Sequence, residues 1–255
     1  MNNHTGDLRR NAWTNGGAYI VGSVLFLLVS FNVVGVVPKY ADGSTDAIAA
    51  ANFHLYFNYL HDTYWINFAS SLAFLVGALT LIPVGLGLRH LYGSSGYWQT
   101  LMSLSFTTGA VFFAVELLMG IGRFHFIATT DWSKAAPATV IGAGMTSNML
   151  QGVEGWIGLG FFLSVGAAMV HASRLILASD KLPRQLGQLG LMVAGFYAVG
   201  VLVSVVDPLG FLFPYFVLVG GSILAPIWAI WLGVAAGRLE QAGALEVATT
   251  PVGTT

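Results

Sequence analysis

The chain contains no cysteine among its 255 residues. That absence removes thiol nucleophiles, disulfide staples, iron–sulfur clusters and cysteine-ligated zinc together. Charge is nearly as scarce: Asp, Glu, Lys and Arg make up 8% of the residues, 10 basic against 11 acidic, for a net charge of −1. Ordinary soluble domains carry about a quarter charged residues. No run of Lys and Arg of the kind that tracks phosphates occurs, so nucleic acid is not expected as a partner. Also missing are a GxSxG elbow, a P-loop, an HExxH pair and a Rossmann fingerprint in a strand–turn–helix setting.

What is present is apolar. Hydrophobic residues make up 56% of the chain and the mean hydropathy is +0.74, which places it among polytopic membrane proteins. Runs long enough to cross about 30 Å of hydrocarbon fall at 17–37, 66–88, 98–122, 152–173, 187–206 and 212–236. The expected fold is therefore all-α: one six-helix transmembrane bundle over 1–239, followed by a disordered tail over 240–255. The first run lacks a small-residue cleavage site and reads as a retained anchor.

Orientation follows from the basic residues. An inside N-terminus puts Arg9, Arg10, Arg89, Arg174, Lys181, Arg184 and Arg238 on the cytoplasmic side and leaves Lys39, Arg123 and Lys134 outside, so both termini are expected to be cytoplasmic. The inner connections are short. The outer segments 38–65 and 123–151 are long, and the first is expected to hold an amphipathic interfacial helix, capped near Thr45 and Asp46, with Phe53, Tyr56, Phe57 and Leu60 at helical spacing.

Depth singles out the candidate site. At about 1.5 Å per residue, Glu116, Glu154 and Asp207 fall in one layer of the third, fourth and fifth helices, with Asn67 and Asn32 near it. His54, His61, Asp62, Arg123 and His125 lie above. Ionisable groups in hydrocarbon are costly and normally face the bundle interior with a partner. Glu116 and Arg123 share a face but stand about 10 Å apart along the axis, so Arg123 is expected to pair with Glu154 or Asp207. Glu116, the deeper acid, is the candidate acid/base, suited to holding or donating a proton near neutral pH. Asn67, Arg123, Glu154, Asp207 and His61 are the candidate ligand-binding residues.

Each has a plainer reading beside it. Arg123 and Glu154 would serve equally as a salt bridge orienting two helices, and Glu116 as a protonated acid bonded to a helix neighbour. Asp207 precedes Pro208 and would simply end a helix. His61, Asp62 and His125 would be wet interfacial groups. Zinc or iron held by His61, His125 and a glutamate is chemically reasonable but specified by no spacing, and a haem pair from His90 and His171 less so; no cofactor or metal is expected. The GVAAG stretch at 233–237 is the one small-residue pattern that would suit a homo-oligomer.

The segment GFFLSVGAAMVHASRLILASDKLPRQLGQLGLMVAGFYAVG at 160–200, with APIWAIWLGVAAGRL at 225–239, resembles a bacterial six-pass membrane family catalogued only as a domain of unknown function. The shared features are a small-residue helix, a basic Leu-Pro-Arg turn and a final Trp-Leu helix, and the chain departs from the family pattern at Ala225, where a carboxylate is common. The resemblance implies a six-helix bacterial inner-membrane protein and supplies no catalytic residues. Three functions fit the residues: a protein binding a small or lipid-like ligand in an outward-facing polar pocket, an intramembrane enzyme using Glu116 on a lipid or isoprenoid, and an accessory subunit or sensor. The first is favoured, with the lipid bilayer as its constant partner.

Overall fold

A computed structural model describes residues 2–31, 33–35, 37–206, 215–216 and 218–249. The protein is 86% helical and the described residues hold no strand, as hydrocarbon requires of a chain that must satisfy its own backbone. Among the described residues seven α-helices follow one another: α1 (Asn2–Ser30), α2 (Asp46–Asp62), α3 (Tyr64–Tyr92), α4 (Tyr97–Thr129), α5 (Pro137–Leu177), α6 (Arg184–Val206) and α7 (Ala225–Thr249). A π-helical turn, Leu218–Leu224, leads into α7. Six helices of the described residues are long and apolar enough to cross a membrane, at His4–Ser30, Tyr64–Tyr92, Tyr97–Thr129, Pro137–Leu177, Arg184–Val206 and Leu218–Ala242. The protein is a multi-pass membrane protein.

The spans expected from hydropathy are present with shifted ends: the first helix stops at Ser30, short of the expected 37, and the second to fifth run longer. The helix of the first span begins at Asn2, well before the apolar run expected from 17, and there Leu8 and Ala12 are buried and Asn15 donates to the Gly77 carbonyl at 2.7 Å. The outer segment 123–151 is mostly helix: α4 continues to Thr129 so that Ile127 is buried, and α5 starts at Pro137, whose fixed φ and missing N–H suit a first helical position. The last helix runs on to Thr249, through Leu-Glu-Gln-Ala and other strong helix formers, where a tail was expected from 240. Asn32, Asp207 and the start of the span expected at 212 lie outside the described residues.

The chain forms two compact units. The first comprises Met1–Ile20, Val76–Phe112 and Leu159–Thr255. Its helices meet through small residues and a few buried hydrogen bonds. Trp228, 1% exposed, donates from its indole to the Leu186 carbonyl at 3.1 Å, joining α7 to α6. Gly16 lies against α7 so closely that an added Cβ would stand 2.6 Å from Ile230 Cγ1 and 3.1 Å from the Pro226 carbonyl.

The second unit comprises Val21–Leu75 and Phe113–Gly158. Here α2 is the helix expected from its spacing, and the Thr45 hydroxyl caps it by accepting from the Ile48 N–H. It is not free to lie among headgroups on its apolar face. Phe57 and Leu60 are buried with Ile127 and Val140, and Phe53, Tyr56, Phe124 and Trp132 pack around them. Gly144 makes this approach feasible, since a Cβ there would collide with the Phe53 ring. The small-residue run IGAGMTS thus serves as the seat for α2.

Close approach at Gly16 predicts a contrast with its neighbour. Gly16→Leu should lower stability in detergent by about 1–3 kcal/mol, whereas Gly17→Ala, with nothing within 4 Å of the new methyl, should gain up to about 1 kcal/mol from helix propensity. Thermal unfolding of the two variants checks it.

Candidate functional site

The site lies within the second unit and is built on two facing stripes. Glu116, Gly120 and Arg123 recur at helical spacing on α4, as Ser147, Glu154 and Gly158 do on α5. The two helices run antiparallel. Arg123 donates from Nε to Glu154 Oε1 and from Nη2 to Glu154 Oε2, both at 3.0 Å, a side-on bidentate pair. Its Nη1 donates to the Ser147 hydroxyl at 3.3 Å and to the Tyr56 hydroxyl of α2 at 3.4 Å. The guanidinium carbon stands 4.5 Å from the centre of the Phe124 ring. Arg123 and Glu154 are 8% and 7% exposed. The pairing expected from depth is present, and it ties three helices at one point.

Glycine makes the crossing tight enough for this. A Cβ on Gly158 would lie 2.8 Å from Glu116 Oε2, and one on Gly120 would lie 3.8 Å from Glu154 Oε2. Each glutamate therefore packs over the other helix's glycine, in a reciprocal contact. The sequence carries a signal for this that hydropathy and depth passed over. VELLMGIG at 115–122 and VEGWIGLG at 153–160 share the pattern Val-Glu, then Gly four residues after the Glu and a second Gly two further on. Two copies of one pattern on consecutive antiparallel spans face each other head to tail, so the Glu of one meets the first Gly of the other.

The two acids are unequal nonetheless. Both Glu154 oxygens accept from Arg123. Glu116 is half-buried, feels Glu154 as a like charge, and receives no hydrogen bond and no ion pair among the described residues. Around it on the outer surface of the helices, Val115, Leu118, Val153 and Trp156 are exposed, Trp156 at 72%. The free carboxyl thus sits at the edge of an apolar face.

The other expected site residues have different employment. The His61 Nδ1 lies 2.7 Å from the Ala128 carbonyl; a carbonyl only accepts, so this nitrogen carries the proton and His61 pins the end of α2 to the end of α4. Asn67 donates to the Thr63 hydroxyl at 3.0 Å, and Thr63 donates to the Tyr59 carbonyl at 2.7 Å, which braces the α2–α3 corner. His125 Nδ1 is 2.8 Å from the Tyr64 hydroxyl. Neither His61 nor Asn67 joins the Arg123 cluster. No group of three or more His, Asp or Glu side chains able to hold a metal gathers among the described residues. In the first unit His90 stacks on His4 at 4.6 Å and His171 lies against Trp98 at 5.3 Å, so each ring of the haem pair considered above has its own aromatic neighbour. Outside the spans, burial first and then the Tyr56 phenol push the Tyr59 phenol up. Tyr40 is raised in the same way, by burial and then by Tyr56 and Tyr59. Three phenols therefore cluster here, and one of them, Tyr56, reaches Arg123.

No protein-family model, curated protein or solved structure matches the chain.

A buried ion pair that loses one member leaves an uncompensated charge, which costs about 3–5 kcal/mol. Arg123→Ala and Glu154→Ala should each destabilise the protein by roughly that amount, and Arg123→Met combined with Glu154→Leu by much less than the sum. Chemical or thermal unfolding of the four proteins in one detergent reads the non-additivity.

Proposed function

We propose that this protein binds a small or lipid-like ligand at the crossing of α4 and α5, with the Glu116 carboxyl as the polar contact. One observation carries this: the guanidinium that would have neutralised Glu116 is committed to Glu154, Ser147 and Tyr56, while Glu116 has no partner among the described residues. A carboxyl so placed favours a ligand that brings its own donor, an ammonium or a hydroxyl, attached to an apolar body that covers Val115, Val153 and Trp156. Arg123 and Glu154 form the fixed frame, and Tyr56 ties α2 to it. The same unpaired acid is what an intramembrane enzyme acting on a lipid or isoprenoid would use as acid or base. The ligand-binding reading needs only the contact; the enzyme reading needs turnover as well.

Basic residues support an orientation. Seven of the ten lie at the helix ends and turns assigned to the inner face, so the proposal places both termini in the cytoplasm and the protein in the plasma membrane of a bacterial cell, with α2 outside. The absence of native cysteine makes this directly testable. Ser44→Cys should react with a membrane-impermeant maleimide added to intact cells and Ser95→Cys should not; the reverse pattern inverts the topology.

Ligand retention tests the binding site. Native mass spectrometry of the detergent-purified chain should show a copurifying amphiphile whose occupancy falls at least about tenfold, or 1.4 kcal/mol, in Glu116→Gln. Unchanged masses and occupancy in that folded variant would remove Glu116 from ligand binding.

A further inference from the structure

At one end of the first unit, two connections lie side by side: residues 93–96 between α3 and α4, and residues 178–183 between α5 and α6. Three cations are fastened to the first of them or to the helix ends that flank it. Arg89 Nε donates to the Ser94 carbonyl at 2.8 Å, and Lys181 Nζ donates to the Leu91 carbonyl at 2.6 Å. The Arg174 guanidinium stacks 4.4 Å from the centre of the Trp98 ring. The positive charge of α3, α5 and the α5–α6 connection is therefore drawn to a single turn.

No acid among the described residues neutralises it. The ion pairs of the described residues are Arg9 with Glu240, Arg10 with Asp7 and Arg123 with Glu154. Asp180, the acid of the α5–α6 connection, is exposed and pairs with none of the three cations. The donors are also largely unspent: Lys181 gives one of its three N–H groups to Leu91, and Arg89 one of its five to Ser94. The turn that they surround, Gly-Ser-Ser-Gly, carries no charge, and its Gly93 takes φ +101, a backbone that side chains other than glycine rarely adopt.

What sits beside this turn indicates the kind of anion. Tyr92 ends one candidate span and Tyr97 begins the next, so the turn stands at a membrane boundary. Tyr97 and Trp98 are both exposed, with ring centroids 5.1 Å apart, the amphipathic pair that settles at headgroup level. We propose that this corner binds the phosphate of an anionic phospholipid, with Arg89, Arg174 and Lys181 around the headgroup and Tyr97 and Trp98 against the first carbons of its chains. The partially used cations supply donors and charge, and the aromatic pair makes a lipid phosphate, rather than a free one, the occupant. The site is separate from the Glu116 crossing and stands whether or not that proposal does.

Native mass spectrometry of the full chain in mixed micelles of phosphatidylglycerol and phosphatidylcholine decides the matter. The wild type should retain phosphatidylglycerol in clear preference. Arg174→Gln combined with Lys181→Gln should cut that preference about thirtyfold, since each cation near an anionic surface contributes close to a tenfold factor or somewhat less, while far-ultraviolet circular dichroism stays helical. Arg10→Gln, which removes a cation already paired with Asp7, should leave the preference intact. Equal retention of the two lipids by the wild type overturns the proposal, as does an unchanged preference in the folded double variant. Displacement of the lipid by millimolar inorganic phosphate would also overturn it, by showing that a free anion suffices. Should the double variant fail to fold, the two wild-type measurements still decide.

Discussion

A guanidinium shut away from water must find an anion, and most of what distinguishes the second unit follows from where Arg123 finds one. The pair with Glu154 is worth having only if α4 and α5 come close enough for both carboxylate oxygens to be reached, since a buried charge with a loose partner costs more than it returns. Gly158, where a Cβ would stand 2.8 Å from Glu116 Oε2, allows that closeness. Three N–H groups remain after the bidentate pair, and the two on Nη1 fall to Ser147 of α5 and Tyr56 of α2. So the helix outside the spans is held by an apolar cluster and, beside it, by a phenol bonded to the buried cation. Phe57, Leu60, Ile127 and Val140 would hold α2 against the longer helices by themselves; the hydrogen bond from Arg123 fixes which turn of α2 faces which turn of α4.

The same constraint explains why one acid is left over. Two copies of a Val-Glu pattern face each other across antiparallel helices, which puts two carboxyls at one crossing with a single arginine on the side of it toward the α4–α5 connection. Arg123 lies one turn beyond Gly120, over which Glu154 packs, so geometry awards it to Glu154. Glu116, two turns deeper, keeps only the glycine surface beneath it. A structural role alone would be served by one glutamate and one arginine. The second glutamate is the group that has no partner among the described residues.

Membrane spans were legible because hydrocarbon imposes a length and a polarity on any helix that crosses it, and both are properties of a local window. The capped helix at Asp46–Asp62 was legible for a similar reason: a cap and a three-to-four-residue spacing are local. The ends of the spans were not. Hydropathy falls off at Gly122 and before Gly152, yet α4 and α5 continue because Ile127, Val140 and Gly144 are needed to seat α2, and that need exists only once α2 has arrived. His61 and Asn67 were chosen for polarity at the right depth, which cannot tell a ligand contact from a helix brace; each turned out to hold a backbone or hydroxyl group at a helix end.

What the sequence determined alone was the class of solvent: with 8% charged residues and six long apolar runs, no arrangement of this chain could bury enough of itself in water, and helices were the only secondary structure left to it. It also held the duplicated glutamate–glycine pattern in plain view. What tertiary structure decided was the assignment of partners. Glu116 and Glu154 have nearly the same local sequence, and nothing local distinguishes the paired acid from the free one. The difference arises because a guanidinium can make one bidentate contact at a time, and the crossing of α4 and α5 sets which carboxylate lies within its reach.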